Sequence, residues 1–140
     1  MADSSPRADS NVVVGPVTGV DFVAVPSTDW RRSHAFYVDT LGLRPDENGQ
    51  AEFWIDNTCF AIYQPTDFGF EFAPQTTAHI AMHVDDMEAA RADLERRGVE
   101  FQGDAFDTGV CFMAFFSDPD GNNLMLHHRY APHDARRDES

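Results

Sequence analysis

Lysine is absent from this sequence. All ten basic residues are arginine, set against 24 Asp and Glu, for a net charge of −14 at pH 7. So acidic a chain lacks the electrostatic footing for nucleic acid or an anionic membrane surface, and neither is expected as a partner. The charge leaves room for a cationic small-molecule ligand, or it serves solubility alone. Cysteine is scarce. Cys59 and Cys111 are too few for a disulfide framework and lack metal-type spacing. Each lies in an apolar, strand-like run, so both read as buried free thiols. No run approaches the ~20 apolar residues of a membrane span. The opening Met1-Ala-Asp-Ser-Ser-Pro-Arg7 has no apolar h-region, so the expected location is the cytoplasm. No nucleophile elbow, P-loop, dinucleotide fingerprint or His/Cys zinc spacing is found.

What the sequence does hold is enough for one compact domain: 140 residues, 42% hydrophobic, with twelve Phe. Its clearest local signal is the stretch from Phe116 to Tyr130. An apolar run (Phe112, Met113, Phe115, Phe116) enters Asp118-Pro-Asp-Gly-Asn-Asn123, and a second run (Leu124, Leu126, Tyr130) leaves it. Pro119 presets φ for the start of a turn and Gly121 can take φ > 0, which predicts a β-hairpin.

Residues 1–16 read as a tail, with Val12-Val13-Val14 a candidate edge strand. Val20–Val25 reads as a strand ended by Pro26, and Ser27, Thr28 and Asp29 are N-cap types. Trp30, His34, Tyr37 and Leu41 then form one face of a helix closed by Gly42. Strands follow at Leu43-Arg44, Ala51–Ile55 and Cys59–Tyr63, with a tight turn at Asp56-Asn57. The connector over 65–77 carries Phe68, Phe70 and Phe72 on alternate positions. Core packing is the expected use of that stripe; covering a pocket, packing on a partner chain and forming an extra strand are the alternatives. Then the pattern restarts. Ala78–Val84 is a strand, Asp85-Asp86 caps a helix with Met87, Ala90 and Leu94 on its apolar side, and Gly98 closes it. Val99–Phe101 and the two hairpin arms supply three more strands.

The two halves are in register. Phe22-Val-Ala-Val25 matches His79-Ile-Ala-Met82, Asp29-Trp30 matches Asp86-Met87, and Gly42 matches Gly98. The chain is therefore a duplication of one βαβββ unit. Each unit has a sheet with one uncovered face, so the two should combine to bury a shared surface. The expected division is a single domain over 17–130, with modules at about 17–64 and 78–130 joined by the 65–77 linker, and a second tail over 131–140.

Val20–Ser33 with Ala35–Leu43, His79–Asp86 and the Asp-Pro-Asp-Gly hairpin together resemble the vicinal oxygen chelate superfamily. That superfamily includes glyoxalase I, extradiol dioxygenases, fosfomycin-resistance enzymes and bleomycin-resistance proteins. The resemblance spans about residues 19–129. It implies an α+β fold of two tandem βαβββ modules forming a cupped mixed sheet. Metal-using members place a His or Gln on the first strand, a Glu on the fourth, a His on the fifth and a Glu on the last. Those positions fall here on Phe22, Ala61, His79 and Met125, so only His79 matches. Alternation also turns His127 and Tyr63 toward the same cup, which would be the material for a relocated metal site with His79.

Two readings follow. In the first, no metal is bound: Phe22, Trp54, Ala61, Tyr63 and Met125, with His79 and His127, line an apolar cup for a small organic ligand, as the resemblance to bleomycin-resistance proteins implies. In the second, the protein is a lyase, isomerase or dioxygenase, with His79 as general acid or base and Tyr63 as a donor to a developing oxyanion. The full glyoxalase I ligand set is missing. The resemblance further implies a homodimer.

Overall fold

The hairpin forms where its turn chemistry puts it. In the computed structural model, which describes residues 15–133, strands β7 (Cys111–Ser117) and β8 (Asn123–Arg129) flank the turn. The amide of Gly121 donates to the Asp118 carbonyl at 3.0 Å, and Gly121 takes φ of 90°. Ser117 stands opposite Asn123, Phe115 opposite Met125 and Met113 opposite His127.

The duplication is explicit in the topology. The first module runs β1 (Phe22–Pro26), α1 (Trp30–Ala35), β2 (Arg44–Pro45), β3 (Glu52–Ile55) and β4 (Thr58–Tyr63). The second runs β5 (Ile80–His83), α2 (Met87–Arg96), β6 (Phe106–Asp107), β7 and β8. The sheets have the orders β1-β4-β3-β2 and β5-β8-β7-β6. In each, the first strand pairs in parallel with the last and every other pair is antiparallel. Asp29 and Asp86 cap the two helices, as their side-chain type suggests, accepting from the amides of the first turn. Asp93 pairs with Arg97 one turn later at 3.3 Å. Beyond Ala35 the helix widens into a π-turn over Phe36–Thr40, closed by the Leu41 amide on the Phe36 carbonyl at 3.0 Å.

Each sheet lays its helix-covered face into one shared core. Val25, Phe53, Phe60 and Ile62 enter it from the first sheet, and Met82, Ala114, Phe116, Leu124 and Leu126 from the second. At one end a polar clasp ties the modules together. The Tyr37 hydroxyl, fully buried, donates to Asp118 Oδ2 at 2.6 Å. Burial, and then the adjacent Asp118 charge, push the Tyr37 phenol far above its ordinary range, so it remains a donor. Asn122 donates to Asp118 Oδ2 and to the Pro26 carbonyl, both at 2.8 Å. Asp120 accepts from the Thr28 amide and hydroxyl, from Ser33 and from Arg32. Burial raises the Asp120 carboxyl, but the bonds from Thr28 and Ser33 and the Arg32 charge outweigh it and hold the group below its usual range. The hairpin motif is thus a fastener between modules.

Several expectations change. Val99–Phe101 is not a strand: its backbone meets the sheet only through the following residue, where the Gln102 amide donates to Phe115 at 2.8 Å, while Val99 is buried in the core. The edge position belongs instead to β6. The aromatic connector does not fill the core: Phe68 and Phe70 are 67% and 68% exposed. A 3₁₀ turn over Pro65–Phe68 lifts the chain off the sheet. Pro26 closes β1 within the strand rather than after it. Both cysteines are buried free thiols. Val12–Val14 and the C-terminal stretch from residue 134 lie outside the described residues, of which no helix is long and apolar enough to cross a membrane.

Tyr37→Phe takes a hydrogen-bond donor from the buried Asp118 carboxylate, and should cost about 1.5–3 kcal/mol. Scanning calorimetry should show a drop of several degrees. Phe68→Ser should change stability by less than about 0.5 kcal/mol, as for an exposed position; a loss of core-mutation size would put that ring in the core after all.

Candidate functional site

Alternation along each strand leaves a second face on each sheet, turned away from the shared core. On the first sheet it carries Phe22 and Ala24 from β1, Cys59, Ala61 and Tyr63 from β4, and Glu52 and Trp54 from β3. Phe22 is 58% exposed and Tyr63 42%. On the second sheet it carries Ala81 and His83 from β5, Met125 and His127 from β8, and Met113 and Phe115 from β7. His79, just before β5, is exposed and sets its ring against Phe115, with centroids 5.1 Å apart. Met125 and His127 are half-buried.

The predicted site residues therefore fall into two groups on two sheets. Phe22, Trp54, Ala61 and Tyr63 share the first; His79, Met125 and His127 share the second. Within one chain the helix-covered faces meet and the other faces point outward, so the structure does not gather the seven into one pocket. Trp54 is committed elsewhere. Its indole nitrogen donates to Asp46 at 2.8 Å, and it lines a groove of about 640 Å³ between the modules with Leu41, Leu43, Ile55, Leu94 and Leu126. The Trp54 bond, then the amide of Asn48, hold the Asp46 carboxyl below its usual range.

Within one chain, His79, His127 and Tyr63 do not come together as a relocated metal site. Ile80 pairs with Leu124, so His79 lies beside Asn123, four residues from His127 along β8. That spacing is about 13 Å at ~3.3 Å per residue, and Tyr63 is on the other sheet. Among the described residues no three His, Cys, Asp or Glu side chains cluster closely enough to hold an ion. At the four positions where metal-using relatives place ligands, Phe22 and Ala61 offer carbon, Met125 a thioether and His79 one imidazole. That donor set does not fit a hard or borderline divalent ion.

What the register does bring together is His83 and His127, opposite one another on β5 and β8, with Met113 across β7 from His127. Alternation alone gives the residues of each strand's face. The hairpin turn fixes the β7–β8 offset and could have placed Met113. The parallel β5–β8 offset has no local signal, so the His83–His127 pair was not legible. His83 Nε2 lies 2.8 Å from Asp85 Oδ1. His128, half-buried on the helix side, lies 2.9 Å through Nδ1 from the Val84 carbonyl. His127 has no hydrogen-bond partner among the described residues. Burial lowers its imidazole pKa, helped by the positive charge of His83, Arg129, His128 and His133.

The family model for the Glyoxalase/Bleomycin resistance protein/Dioxygenase superfamily matches residues 19–126. This chain belongs to that superfamily. Among curated relatives, the uncharacterized protein YaeR of Escherichia coli (strain K12) is 34% identical over 122 residues, covering 77% of this chain and 94% of YaeR. Among solved structures, TnmS3, an antibiotic binding protein from Streptomyces sp. CB03234, superposes with a TM-score of 0.67 at 28% identity. The match covers 83% of this chain and 99% of TnmS3. A superfamily member from Sphaerobacter thermophilus shares the fold, with a TM-score of 0.66 at 24% identity over 79% of this chain and 97% of its own. Glyoxalase-superfamily architecture thus accounts for the paired modules.

A depressed His127 pKa has a defined sign. The unfolded chain takes up the proton first, so His127's contribution to stability is present above about 6.5 and is lost as pH falls through its lower folded value. Proton NMR should show a His127 midpoint below that of a free imidazole, and Arg129→Gln should move it upward. A midpoint at or above the ordinary value would contradict the surroundings described here.

Proposed function

We propose that this protein binds a small organic molecule, without the superfamily's usual metal, in a cup that two copies build together. The observation that carries the reading is the outward turn of both open faces, with Phe22 and Tyr63 left partly exposed. Lone exposed aromatics are ordinary, but here they line one face of a sheet whose counterpart in the same chain points elsewhere. Apposing the first sheet of one copy to the second sheet of another brings Phe22, Ala61 and Tyr63 over His79, Met125 and His127. β1 and β5 each end their sheet, so each leaves an unpaired edge beside this surface. Ligand recognition would then rest on apolar and aromatic surface with a few imidazoles for orientation. The similarity to an antibiotic binding protein supports sequestration over turnover.

Light scattering should give the mass of a dimer, and Phe22→Asp should weaken dimerisation and abolish ligand-induced thermal stabilisation together. Exhaustive chelation should leave melting temperature and ligand-induced shifts unchanged. Loss of both on chelation, with recovery on adding one divalent ion, would sink the metal-free reading. A monomer that still binds ligand would sink the shared cup.

A further inference from the structure

The charges of this chain are not spread evenly over its two sheets. Although the sequence has 24 Asp and Glu, none stands on the open face of β5, β7 or β8. The basic side chains there are His83, His127 and Arg129. The remaining titratable group on that face is Cys111, whose thiol is engaged by Thr108 at 3.1 Å. Beside the face lie His128 and His133, and among the described residues the carboxylate next to it on this sheet is Asp85, hydrogen-bonded to His83 at the end of β5, while the apposed first sheet would bring Glu52 of β3 beside Ala61.

Arg129 differs from the other arginines of the described residues not in lacking a carboxylate, which the exposed Arg31 and Arg44 also lack, but in burying an unpaired nitrogen. Arg32, Arg91, Arg96 and Arg97 each meet a carboxylate. Arg129 meets none among the described residues. One terminal nitrogen donates to the Pro132 carbonyl at 3.3 Å, and its Nε is buried with no partner among the described residues. Leaving a charged donor unpaired away from water is costly, so such a group calls for an acceptor that the chain does not supply. His127 lies two residues away on the same face and is also without a hydrogen-bond partner among the described residues. The charges that act on it are all positive. The net charge of −14 does not decide the matter. Beyond a Debye length of about 8 Å at physiological ionic strength, distant carboxylates are largely screened, whereas Arg129 and His127 would touch the ligand.

We infer that the ligand of this cup is an organic carboxylate, its apolar body lying against Phe115 and Met125 and its acid group held between Arg129 and His127. This rests on the cup reading above and adds the ligand's charge, opposite to that suggested by the chain's acidity. Arginine offers the carboxylate a planar pair of donors. Protonated His127 adds a second cation, so binding strengthens as pH falls through the His127 titration.

Isothermal titration of the full chain with three isosteric probes tests this: 2-naphthoate, 2-naphthylmethylamine and 2-naphthalenemethanol. Naphthoate should bind at least tenfold more tightly than the alcohol, and the amine should bind most weakly. Arg129→Gln should bring naphthoate down to the level of the alcohol while leaving the alcohol unchanged. His127→Gln should reduce the naphthoate preference and flatten its pH dependence, which keeps the test open should the arginine variant fold poorly. Equal binding of all three probes, or a preference for the amine, would overturn the carboxylate inference and leave the cup standing. No binding of any probe would remove the cup itself.

Discussion

The fold depends on a buried hydrogen bond between a phenol and a carboxylate that lie 81 residues apart. Tyr37 comes from the first module and Asp118 from the turn that closes the second. Around them Asn122 reaches the end of β1, and Asp120 collects the amide and hydroxyl of Thr28, the Ser33 hydroxyl and the Arg32 guanidinium. Every one of these groups would be expensive to bury alone. Together they satisfy one another and fix the angle at which the two sheets meet. Apolar packing of Phe53, Phe60, Phe116 and Leu124 supplies most of the driving force but has little directional preference.

That fastening has a functional consequence. Because the hairpin docks on the first helix, the helix-covered faces of both sheets are committed to the shared core, and the remaining faces are presented outward. A ligand site assembled from both sheets then needs a second copy. The same constraint accounts for the exposure of Phe22 and Tyr63. It also separates His79 from Tyr63, which strand alternation alone had placed on one wall.

Charge behaves similarly: the global quantity and the local one diverge. Among the described residues most carboxylates sit on helices, turns and loops, with Glu52 on β3 and Asp107 on β6 as the strand exceptions. Helix α2 spends much of its share internally, through Asp93 with Arg96 and Arg97 and Glu95 with Arg91. The second sheet's open face escapes that pattern and is basic. An inference about ligand charge drawn from composition is therefore an average over surface that no ligand meets.

Much of this protein was legible in its residues. Asp118-Pro-Asp-Gly fixed its own turn, Asp29 and Asp86 announced the helix starts, and the repeat at about 57 residues declared two modules. These features rest on short-range chemistry: capping, φ preference and periodicity act over a few residues and leave a mark at fixed spacing. Legible too was the unsuitability of Phe22, Ala61 and Met125 as metal donors, since that follows from atom type. Only the tertiary structure decided which modules' faces meet, that Val99–Phe101 packs as loop while Phe106–Asp107 takes the sheet edge, that Phe68 and Phe70 stay in solvent, and that His127 stands beside His83 rather than His79. Each of those outcomes depends on the register of a parallel pair or on the docking of one module against the other. Such choices are made by side chains far apart in sequence, and no local preference encodes them.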